Sequence, residues 1–507
     1  MHKYSTLNDL LNQPAGNLIA LRAPQRDALT YDDLRRQIAN TINALNKFGI
    51  GRNDRVAIVL PNGPDMGSAF VGVACGATAA PLNPAYRADE FEFYMNDLKS
   101  KALLVEKGSQ SPAVAVAEKL GVMILELIPG ARAGEFTVVP QKPVSAAPAP
   151  NGGAAQADDV ALILHTSGTT SRPKIVPLSH RNVSASAQNI RDTLALTEKD
   201  CGMNIMPLFH IHGLIAGMLA PLAAGGSIYC TQGFNALKFF GWMTEAKPTW
   251  YTAVPTMHQT IVARAAQNQD VIKANPLRFM RSSSSSMPPQ VIAELEAAFG
   301  APLIESYGMT EAAHQMASNP LPPKKRIPGS VGLAAGPEVE IMDLDGHILP
   351  RGATGEIVIR GANVTTGYEN NPKANEEGYT NGWFRTGDQG VMDAEGYVSI
   401  TGRLKEIINR GGEKISPREV DEVLMDHPAV AQVVTFAVPH DKLGEDVAAA
   451  VVLREGQSAT EKELRDFTAV RLADYKVPRK ILLLDEIPKG ATGKLQRIGL
   501  AQKLGLA

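Results

Sequence analysis

The sequence predicts an α/β protein with a large N-terminal domain and a small C-terminal domain. Short apolar runs alternate with helical patterns between about residues 30 and 305, which is typical of βαβ units around a largely parallel sheet. Two later segments bounded by glycines are typical of antiparallel strands. The pattern changes again after Arg403, where about a hundred residues predict a small α+β domain.

The elements of the first half follow from local patterns. A helical pattern opens at Asp32, and the apolar runs at 55–60, 102–105 and 160–164 predict strands. Residues 144–158 are rich in proline, glycine and alanine, which favours a surface connection.

The elements of the second half are predicted in the same way. We expect antiparallel strands at 355–361 and 396–402, a helix at 417–427, strands at 430–438 and 447–453, and a helix at 460–471. The change of pattern places the domain boundary between residues 402 and 403, giving domains of 1–402 and 403–507. We find no internal repeat.

Composition excludes several classes of protein. The 507 residues are 44% hydrophobic and 20% charged, with a formal net charge of −2, as expected for a globular protein with more than one core and no nucleic-acid partner. Cys75, Cys201 and Cys230 form no CxxC pair, which favours reduced thiols. No apolar stretch approaches about 18 residues and no signal-peptide core follows Met1. We therefore expect a cytoplasmic protein without integral membrane association.

The segment His165–Lys174 is the most informative part of the chain. It follows an apolar strand pattern and combines serine and threonine hydroxyls, Gly168 and a terminal lysine. Such a loop can wrap a polyphosphate, because glycine allows close backbone approach while hydroxyls and lysine bind phosphate oxygens. It lacks the Gly-Lys-Ser/Thr ending of a Walker A loop. A plain flexible connection is the alternative.

Five further segments complete a set with this loop. They are Pro207–Gly213, Glu305–Glu311, Trp383–Asp388, Gly402–Ile415 and Pro488–Lys494. In order and spacing the six segments resemble the adenylate-forming (ANL) superfamily of acyl-CoA synthetases, adenylation domains and firefly luciferase, over nearly the whole chain. The resemblance implies an α/β fold whose large N-terminal domain holds βαβ-type sheets and a small distorted β-barrel, followed by a mobile α+β domain.

Within the superfamily, the chain is most similar to the oxalate–CoA ligase branch of plants and fungi. The segments that carry this similarity are His165–Lys174, Pro207–Leu214, Arg281–Met287 and Glu311–Pro322. One departure is Ile175, where the superfamily usually has glycine. A β-branched residue avoids positive φ, so we expect ordinary strand geometry there.

The resemblance implies a two-step reaction with ATP, Mg²⁺ and CoA. A small carboxylic acid attacks the α-phosphate of ATP, and CoA then displaces AMP from the acyl-adenylate. An anion must approach a polyanion, so charge neutralisation and positioning carry the first step. Lys494 is implied to bridge the two reacting groups; a solvated surface charge is the alternative.

The resemblance also implies the nucleotide site. The phosphates are expected to contact Thr166, Ser167, Gly168, Thr169, Thr170, Lys174 and Thr310. Glu311 is the expected Mg²⁺ ligand, or else a carboxylate in the first turn of a helix. Tyr307, followed by Gly308 and Met309, is expected to stack on adenine, or else to pack in the core. Asp388 is the expected acceptor of the ribose hydroxyls, and Arg403 is the expected second contact with the ribose or a phosphate.

Movement of the small domain is implied as well. Lys405 stands at the superfamily's hinge position, and Gly411-Gly412 is expected to turn towards the acyl-adenylate for the CoA step. A tight hairpin is the alternative for the two glycines. His210 resembles a gate between the acid pocket and the CoA tunnel.

The acid pocket is predicted to be polar. His212, Ser284 and His314 are candidates for holding a second carboxylate, because an unpaired buried charge is very costly. The histidines would be either cationic or neutral N–H donors. A polar turn and structural histidines are the alternatives.

Competing functions remain open at this stage. The acid could be malonate, a short or medium aliphatic acid or 4-coumarate instead of oxalate. An adenylating module that loads a separate carrier protein is another class, although no carrier segment follows Lys494. A catalytically dead binding protein is disfavoured by the joint presence of Lys494, Glu311, Asp388 and Arg403. The sequence does not distinguish a monomer from a homodimer.

Overall fold

The computed structural model describes residues 3–144, 147–166, 173–488 and 495–507. The chain divides into two units. The first unit consists of Met1–Thr166, Lys174–Glu338 and Arg360–Glu377, and the second contains Val339–Ile359 and Gly378–Ala507. The boundary predicted at residues 402 and 403 falls inside the second unit and stays a prediction.

Two sheets form the framework of the first unit. Its strands are β1 (Ile19–Ala23), β2 (Arg26–Thr30), β3 (Arg55–Val59), β4 (Thr78–Pro81), β5 (Ala102–Glu106), β6 (Met123–Pro129), β7 (Phe136–Pro140), β8 (Val160–Thr166), β9 (Lys174–Ser179), β10 (Cys201–Asn204), β11 (Ser227–Cys230), β12 (Trp250–Ala253), β13 (Phe279–Ser282), β14 (Leu303–Met309), β15 (His314–Ser318) and β16 (Leu333–Ala334). One sheet has the order β7-β6-β5-β3-β4-β8-β9, and the other has the order β16-β15-β14-β13-β12-β10-β11-β1-β2. The inner pairs are parallel, as the alternating pattern predicts.

Helices alternate with the strands along the chain, and several of them connect parallel strands. They are α1 (Leu7–Leu11), α2 (Tyr31–Lys47), α3 (Pro64–Ala74), α4 (Ala88–Leu98), α5 (Pro112–Leu120), α6 (His180–Thr193), α7 (Ala220–Ala223), α8 (Phe239–Ala246), α9 (Pro255–Val262), α10 (Gln269–Ala274), α11 (Pro289–Phe299) and α12 (Pro372–Gly378). The start of α2 shows why the sequence folds this way. Thr30 and Asp33 form a reciprocal capping box there, which satisfies two backbone N–H groups at the helix N-terminus.

The cores of the first unit lie between these helices and the sheets. Apolar side chains of β10, β12 and β13 pack with α8 and α11 in one cluster, and those of β3 and β5 pack with α4 and α5 in another. Cys75, Cys201 and Cys230 are buried free thiols, as predicted. None of the described helices is both long enough and apolar enough to cross a lipid bilayer.

The second unit holds two smaller sheets. Its elements are β17 (Glu338–Met342), β18 (Thr354–Arg360), β19 (Tyr379–Thr380), β20 (Trp383–Met392), β21 (Val398–Arg403), β22 (Ile408–Arg410), β23 (Glu413–Ile415), α13 (Pro417–Met425), β24 (Val430–His440), β25 (Gly444–Leu453), α14 (Glu461–Ala469), β26 (Lys480–Leu483) and α15 (Leu500–Lys503). The predicted strands at 355–361 and 396–402 correspond to β18 and β21, and both pair antiparallel with β20. The helices and strands predicted after residue 403 are all present, with ends that differ by a few residues.

Candidate active site

The acid-pocket candidates lie beyond the carboxyl ends of neighbouring strands in the nine-stranded sheet. His212 follows β10, Ser284 follows β13, and His314 follows β14 after a short turn. Carboxyl ends of parallel strands meet at one edge of a sheet, where ligands of α/β proteins commonly bind. The order of the strands therefore brings together three segments that are far apart in sequence.

Direct contacts join the three side chains. The Nδ1 atom of His212 lies 3.0 Å from the Oγ atom of Ser284. The rings of His212 and His314 stack, with centroids 4.8 Å apart and planes inclined by 19°. Both histidines are buried, while Ser284 is half-buried. The three residues form one polar cluster, although their role in binding an acid stays a prediction.

The backbone of this cluster is strained. Ser284, Ala313 and His314 have φ angles of 73°, 47° and 100°, a region that L-residues rarely adopt. Each such residue costs about 1–3 kcal/mol and persists only where the surrounding structure imposes it. At Gly308 a β-carbon would overlap the carbonyl oxygen of His314. The hairpin of β14 and β15 therefore presents His314 in a conformation that the fold stabilises at a cost.

His212 begins an unusual helix. Residues His212–Leu219 form a π-helix, a wide helical turn that is rare and often found at functional sites. At Gly213 a β-carbon would overlap the carbonyl oxygen of Pro207. The close approach of the backbone explains why the predicted motif Pro207–Gly213 ends in glycine.

Arg281 lies beneath the histidines and is the main residue that the sequence analysis did not identify as part of the site. Its Nη1 atom lies 3.3 Å from Nε2 of His212 and donates to Oγ1 of Thr252 at 3.3 Å. Its Nη2 atom lies 3.2 Å from Nε2 of His314 and donates to Oε1 of Gln315 at 3.2 Å. The guanidinium thus contacts both histidines at once.

The charge of Arg281 is isolated. The side chain is fully buried, and its Nε atom has no hydrogen-bond partner. Among the described residues, no carboxylate lies within 4.0 Å of the guanidinium. Burial lowers the pKa of Arg281 to about 9, so the side chain remains mainly protonated at neutral pH. A buried cation of this kind is stabilised when an anion binds beside it.

The surroundings of the two histidines disfavour their cationic form. Burial lowers the pKa values of His212 and His314 well below the usual histidine value, and the charge of Arg281 lowers both further. Of the two alternatives that the sequence left open, the structure favours neutral N–H donors over cations. His210 also lowers both pKa values, which places it near the cluster; its function as a gate stays a prediction.

Glu311 and Lys174 are brought together by Tyr368, a residue that the sequence analysis did not identify. The Tyr368 hydroxyl donates a hydrogen bond of 2.8 Å to Oε1 of the buried Glu311. The Lys174 Nζ atom lies 4.4 Å from the centre of the Tyr368 ring. No local pattern predicts this contact, because Tyr368 and Glu311 are 57 residues apart. Thr310 precedes Glu311 and is half-buried.

The described residues include only the two ends of the predicted phosphate loop. Ser167, Gly168, Thr169 and Thr170 lie outside the described residues, as does Lys494. Thr166 ends β8 and pairs with Lys174 of β9. Ile175 pairs with His165 in the same ladder, which confirms the ordinary strand geometry expected there.

Tyr307 ends the buried part of β14. Its side chain is 8% exposed, and Gly308 and Met309 complete the strand before the turn at Thr310. Stacking of Tyr307 on adenine stays a prediction.

The candidates of the second unit form three local arrangements. Arg403 and Asp388 form an ion pair of 2.9 Å across paired strands β20 and β21. Lys405 is exposed in a short 3₁₀ turn after β21. Gly411 and Gly412, with φ angles of 61° and 101°, form the two-residue turn between β22 and β23, where positive φ is required. A tight hairpin, the alternative given for these residues from the sequence, explains why both are glycines. Their contact with CoA stays a prediction.

The chain is similar to known AMP-binding enzymes along nearly its whole length. The model of the family "AMP-binding enzyme" matches residues 11–369, and that of the "AMP-binding enzyme C-terminal domain" matches residues 419–494. An oxalate–CoA ligase of Arabidopsis thaliana is 44% identical, with 98% of each chain covered. An oxalate–CoA ligase of Saccharomyces cerevisiae is 42% identical, with 96% of this chain and 94% of the relative covered. The crystal structure of ATP-bound MatB from Rhodopseudomonas palustris superposes with a TM-score of 0.87 at 29% identity and 99% coverage of both chains.

Proposed function

We propose a function for this chain from the premise that it belongs to the AMP-binding enzyme family, whose model matches more than half of its length. The chain is an ATP-dependent, AMP-forming acid–CoA ligase, and its acid is oxalate. A carboxylate oxygen attacks the α-phosphorus of ATP, which releases pyrophosphate and forms an acyl-adenylate. The thiolate of CoA then attacks the acyl carbon, forms the thioester and releases AMP.

The buried charge of Arg281 is the observation that favours oxalate as the acid. Arg281 has no carboxylate partner in the described part of the chain, and it lies directly behind His212 and His314. While one carboxylate of oxalate reacts with ATP, the other supplies the missing negative charge and accepts hydrogen bonds from the cluster. A monocarboxylic acid leaves that charge unpaired. Relatives that are oxalate–CoA ligases support the same choice.

Each remaining site residue has a proposed role. Lys494 neutralises the reacting carboxylate and the α-phosphate, and Thr310 donates to an α-phosphate oxygen. Residues 166–170 and Lys174 bind the outer phosphates, Tyr307 to Met309 border the adenine, and Asp388 with Arg403 binds the ribose. Backbone N–H groups, hydroxyls and lysine are suited to phosphate oxygens.

The Mg²⁺ ion fits beside Glu311. A carboxylate oxygen is a ligand that Mg²⁺ prefers, and the hydroxyl of Tyr368 orients this carboxylate. When bound, the ion reduces the negative charge of the ATP phosphates. The role of Tyr368 is to hold Glu311 in place, while Lys174 adds a second positive charge nearby.

We also propose that residues 403–507 rotate between the two half-reactions. Lys405 is the hinge, since it is exposed in a short turn between two strands. His210 gates the path to CoA, and Gly411 and Gly412 approach CoA in the second orientation. Buried free thiols favour the cytoplasm as the compartment.

The decisive experiment measures AMP release from ATP, Mg²⁺ and CoA with oxalate, malonate, acetate, hexanoate and 4-coumarate. Strong turnover with oxalate and little with the monocarboxylic acids is expected. Preferred turnover with acetate, hexanoate or 4-coumarate would refute the acid while leaving the ligase chemistry intact. Preferred turnover with malonate would keep the dicarboxylate site and change the chain length.

Two variants test whether Ser284 belongs to the acid-binding site. Ser284→Ala removes a hydroxyl that contacts His212, so kcat/KM for oxalate is expected to fall by about tenfold, the value of one hydrogen bond to a charged group. Ser285→Ala, at an exposed position in the same serine run, is the matched control and is expected to leave kcat/KM unchanged. Equal effects of the two changes would remove Ser284 from the acid site.

A further inference from the structure

We propose that Arg281 is a positioning residue that fixes His212 and His314 in the tautomer protonated on Nδ1, so that the Nδ1–H of His314 and, through His212, the hydroxyl of Ser284 are directed to the acid. This inference rests on the proposed function for its substrate, but not for its geometry. A neutral histidine carries one proton on either Nδ1 or Nε2, and the group facing one nitrogen decides which.

The contact with His314 gives the simplest case. Nη2 of Arg281 lies 3.2 Å from Nε2 of His314. An arginine can only donate hydrogen bonds, so this Nε2 atom must accept and the ring proton must be on Nδ1. Burial and the charge of Arg281 keep the ring neutral. His314 therefore has one acceptor, which faces Arg281, and one donor.

The contacts of His212 lead to the same tautomer. Its Nε2 atom faces Nη1 of Arg281 at 3.3 Å and Oγ1 of Thr252 at 2.6 Å. With the proton on Nδ1, Nε2 accepts from both the guanidinium and the Thr252 hydroxyl. With the proton on Nε2, that N–H would point towards an N–H of Arg281. That N–H could still donate to Oγ1 of Thr252, but only the first arrangement gives an acceptor to the Arg281 N–H that faces Nε2.

The tautomer of His212 determines the direction of the Ser284 hydroxyl. Nδ1 of His212 lies 3.0 Å from Oγ of Ser284. If Nδ1–H donates to this oxygen, the Ser284 hydroxyl proton is free to donate to a ligand. If Nδ1 were the acceptor, the same proton would be held by His212. Arg281 thus arranges a chain of donors that all point away from the buried charge.

The pocket that results is suited to a carboxylate. Within the cluster it offers the Nδ1–H of His314 and the hydroxyl of Ser284 as donors, with the cation of Arg281 behind them. Hydrogen bonds to an ionised acceptor are stronger than neutral ones. Arg281 reaches the acid through His212 and His314 rather than by touching it.

The direct test is NMR of the full-length enzyme labelled with ¹⁵N in its ten histidines. Two-bond correlations distinguish a protonated from an unprotonated imidazole nitrogen, and His212→Asn and His314→Asn variants assign the signals. Both histidines are expected to be protonated on Nδ1 alone near pH 7.5. Protonation of either ring on Nε2 would overturn the inference.

His180 provides an internal reference in the same spectrum. Its Nδ1 atom accepts from the backbone N–H of Leu7, and its Nε2 atom lies 2.9 Å from the carbonyl oxygen of Ala74. It must therefore be protonated on Nε2, the opposite tautomer. In the variant Arg281→Met, His314 is expected to gain the Nε2-protonated form while His180 stays unchanged. An unchanged His314 would show that Arg281 does not set the tautomer.

Kinetics of Arg281→Met give a second readout. The KM for oxalate is expected to rise by about tenfold or more, with the KM for ATP changed by less than about twofold. An unchanged KM for oxalate would also overturn the inference. If the wild-type enzyme preferred a monocarboxylic acid, the proposed substrate would fail, but the NMR result would still decide the tautomers.

Discussion

Replacing Tyr368 by phenylalanine tests how Glu311 is held. The change removes only the hydroxyl that donates to Oε1 of Glu311 at 2.8 Å, and it keeps the ring beneath Lys174. A hydrogen bond to a charged group is worth about 1.5–3 kcal/mol, and about 1.4 kcal/mol corresponds to a factor of ten. We therefore expect kcat/KM at limiting Mg²⁺ to fall by about ten- to a hundredfold.

The assay is ATP–pyrophosphate exchange with oxalate over a range of Mg²⁺ concentrations. Tyr368→Phe should need more Mg²⁺ for half-maximal exchange and should recover in part at high Mg²⁺. The control Tyr4→Phe removes an exposed hydroxyl that donates a hydrogen bond to Gln13, and it should behave like the wild type. An unchanged Mg²⁺ dependence in Tyr368→Phe would refute the role given to Glu311 and its partner.

Three further predictions concern catalysis, packing and pH. Lys494→Ala should abolish adenylation but largely spare thioester formation from supplied acyl-adenylate, and equal loss of both steps would contradict domain rotation. Gly308→Ala forces a β-carbon onto a backbone oxygen and should lower the free energy of unfolding by about 1–3 kcal/mol. Gly241→Ala lies inside α8 with open space around it and should raise the free energy of unfolding by about 0.5–1 kcal/mol. Thermal unfolding that ranks the two variants the other way would refute this. Burial lowers the pKa of His180 to about 4 from 6.5, so its contribution to stability is complete above about pH 6.5 and falls by about 1.4 kcal/mol per unit down to about pH 4. His180→Gln should reduce the pH dependence of the melting temperature in that range, and an unchanged dependence would count against it.

The fold could be predicted because its signals are local. The apolar runs that became β3, β5 and β8 alternate with helices, and that alternation alone indicates a parallel sheet. The ends of elements were less certain. For example, β24 and β25 extend further towards their shared turn than the predicted strands, because cross-strand pairing prolongs strands beyond their apolar centres.

The site could be predicted only in part. Ser284 and His314 stand out in sequence as polar residues in segments where an apolar pocket would have apolar ones, and the structure brings both to His212. Arg281 begins one of the segments that carry the resemblance, but no sequence pattern indicated that its side chain is buried beside the histidines. An arginine at the end of a strand usually reaches solvent, and its burial here depends on the neighbouring strands β12 and β14, which no local pattern specifies.

The isolated charge of Arg281 has a consequence for the folded protein itself. Folding removes this guanidinium from water without supplying a carboxylate to balance it, so the free enzyme keeps less stability than its packing would allow. A ligand that binds only the native state shifts the unfolding equilibrium by mass action. A dianion bound beside Arg281, as proposed for oxalate, would thus also raise the stability of the folded protein.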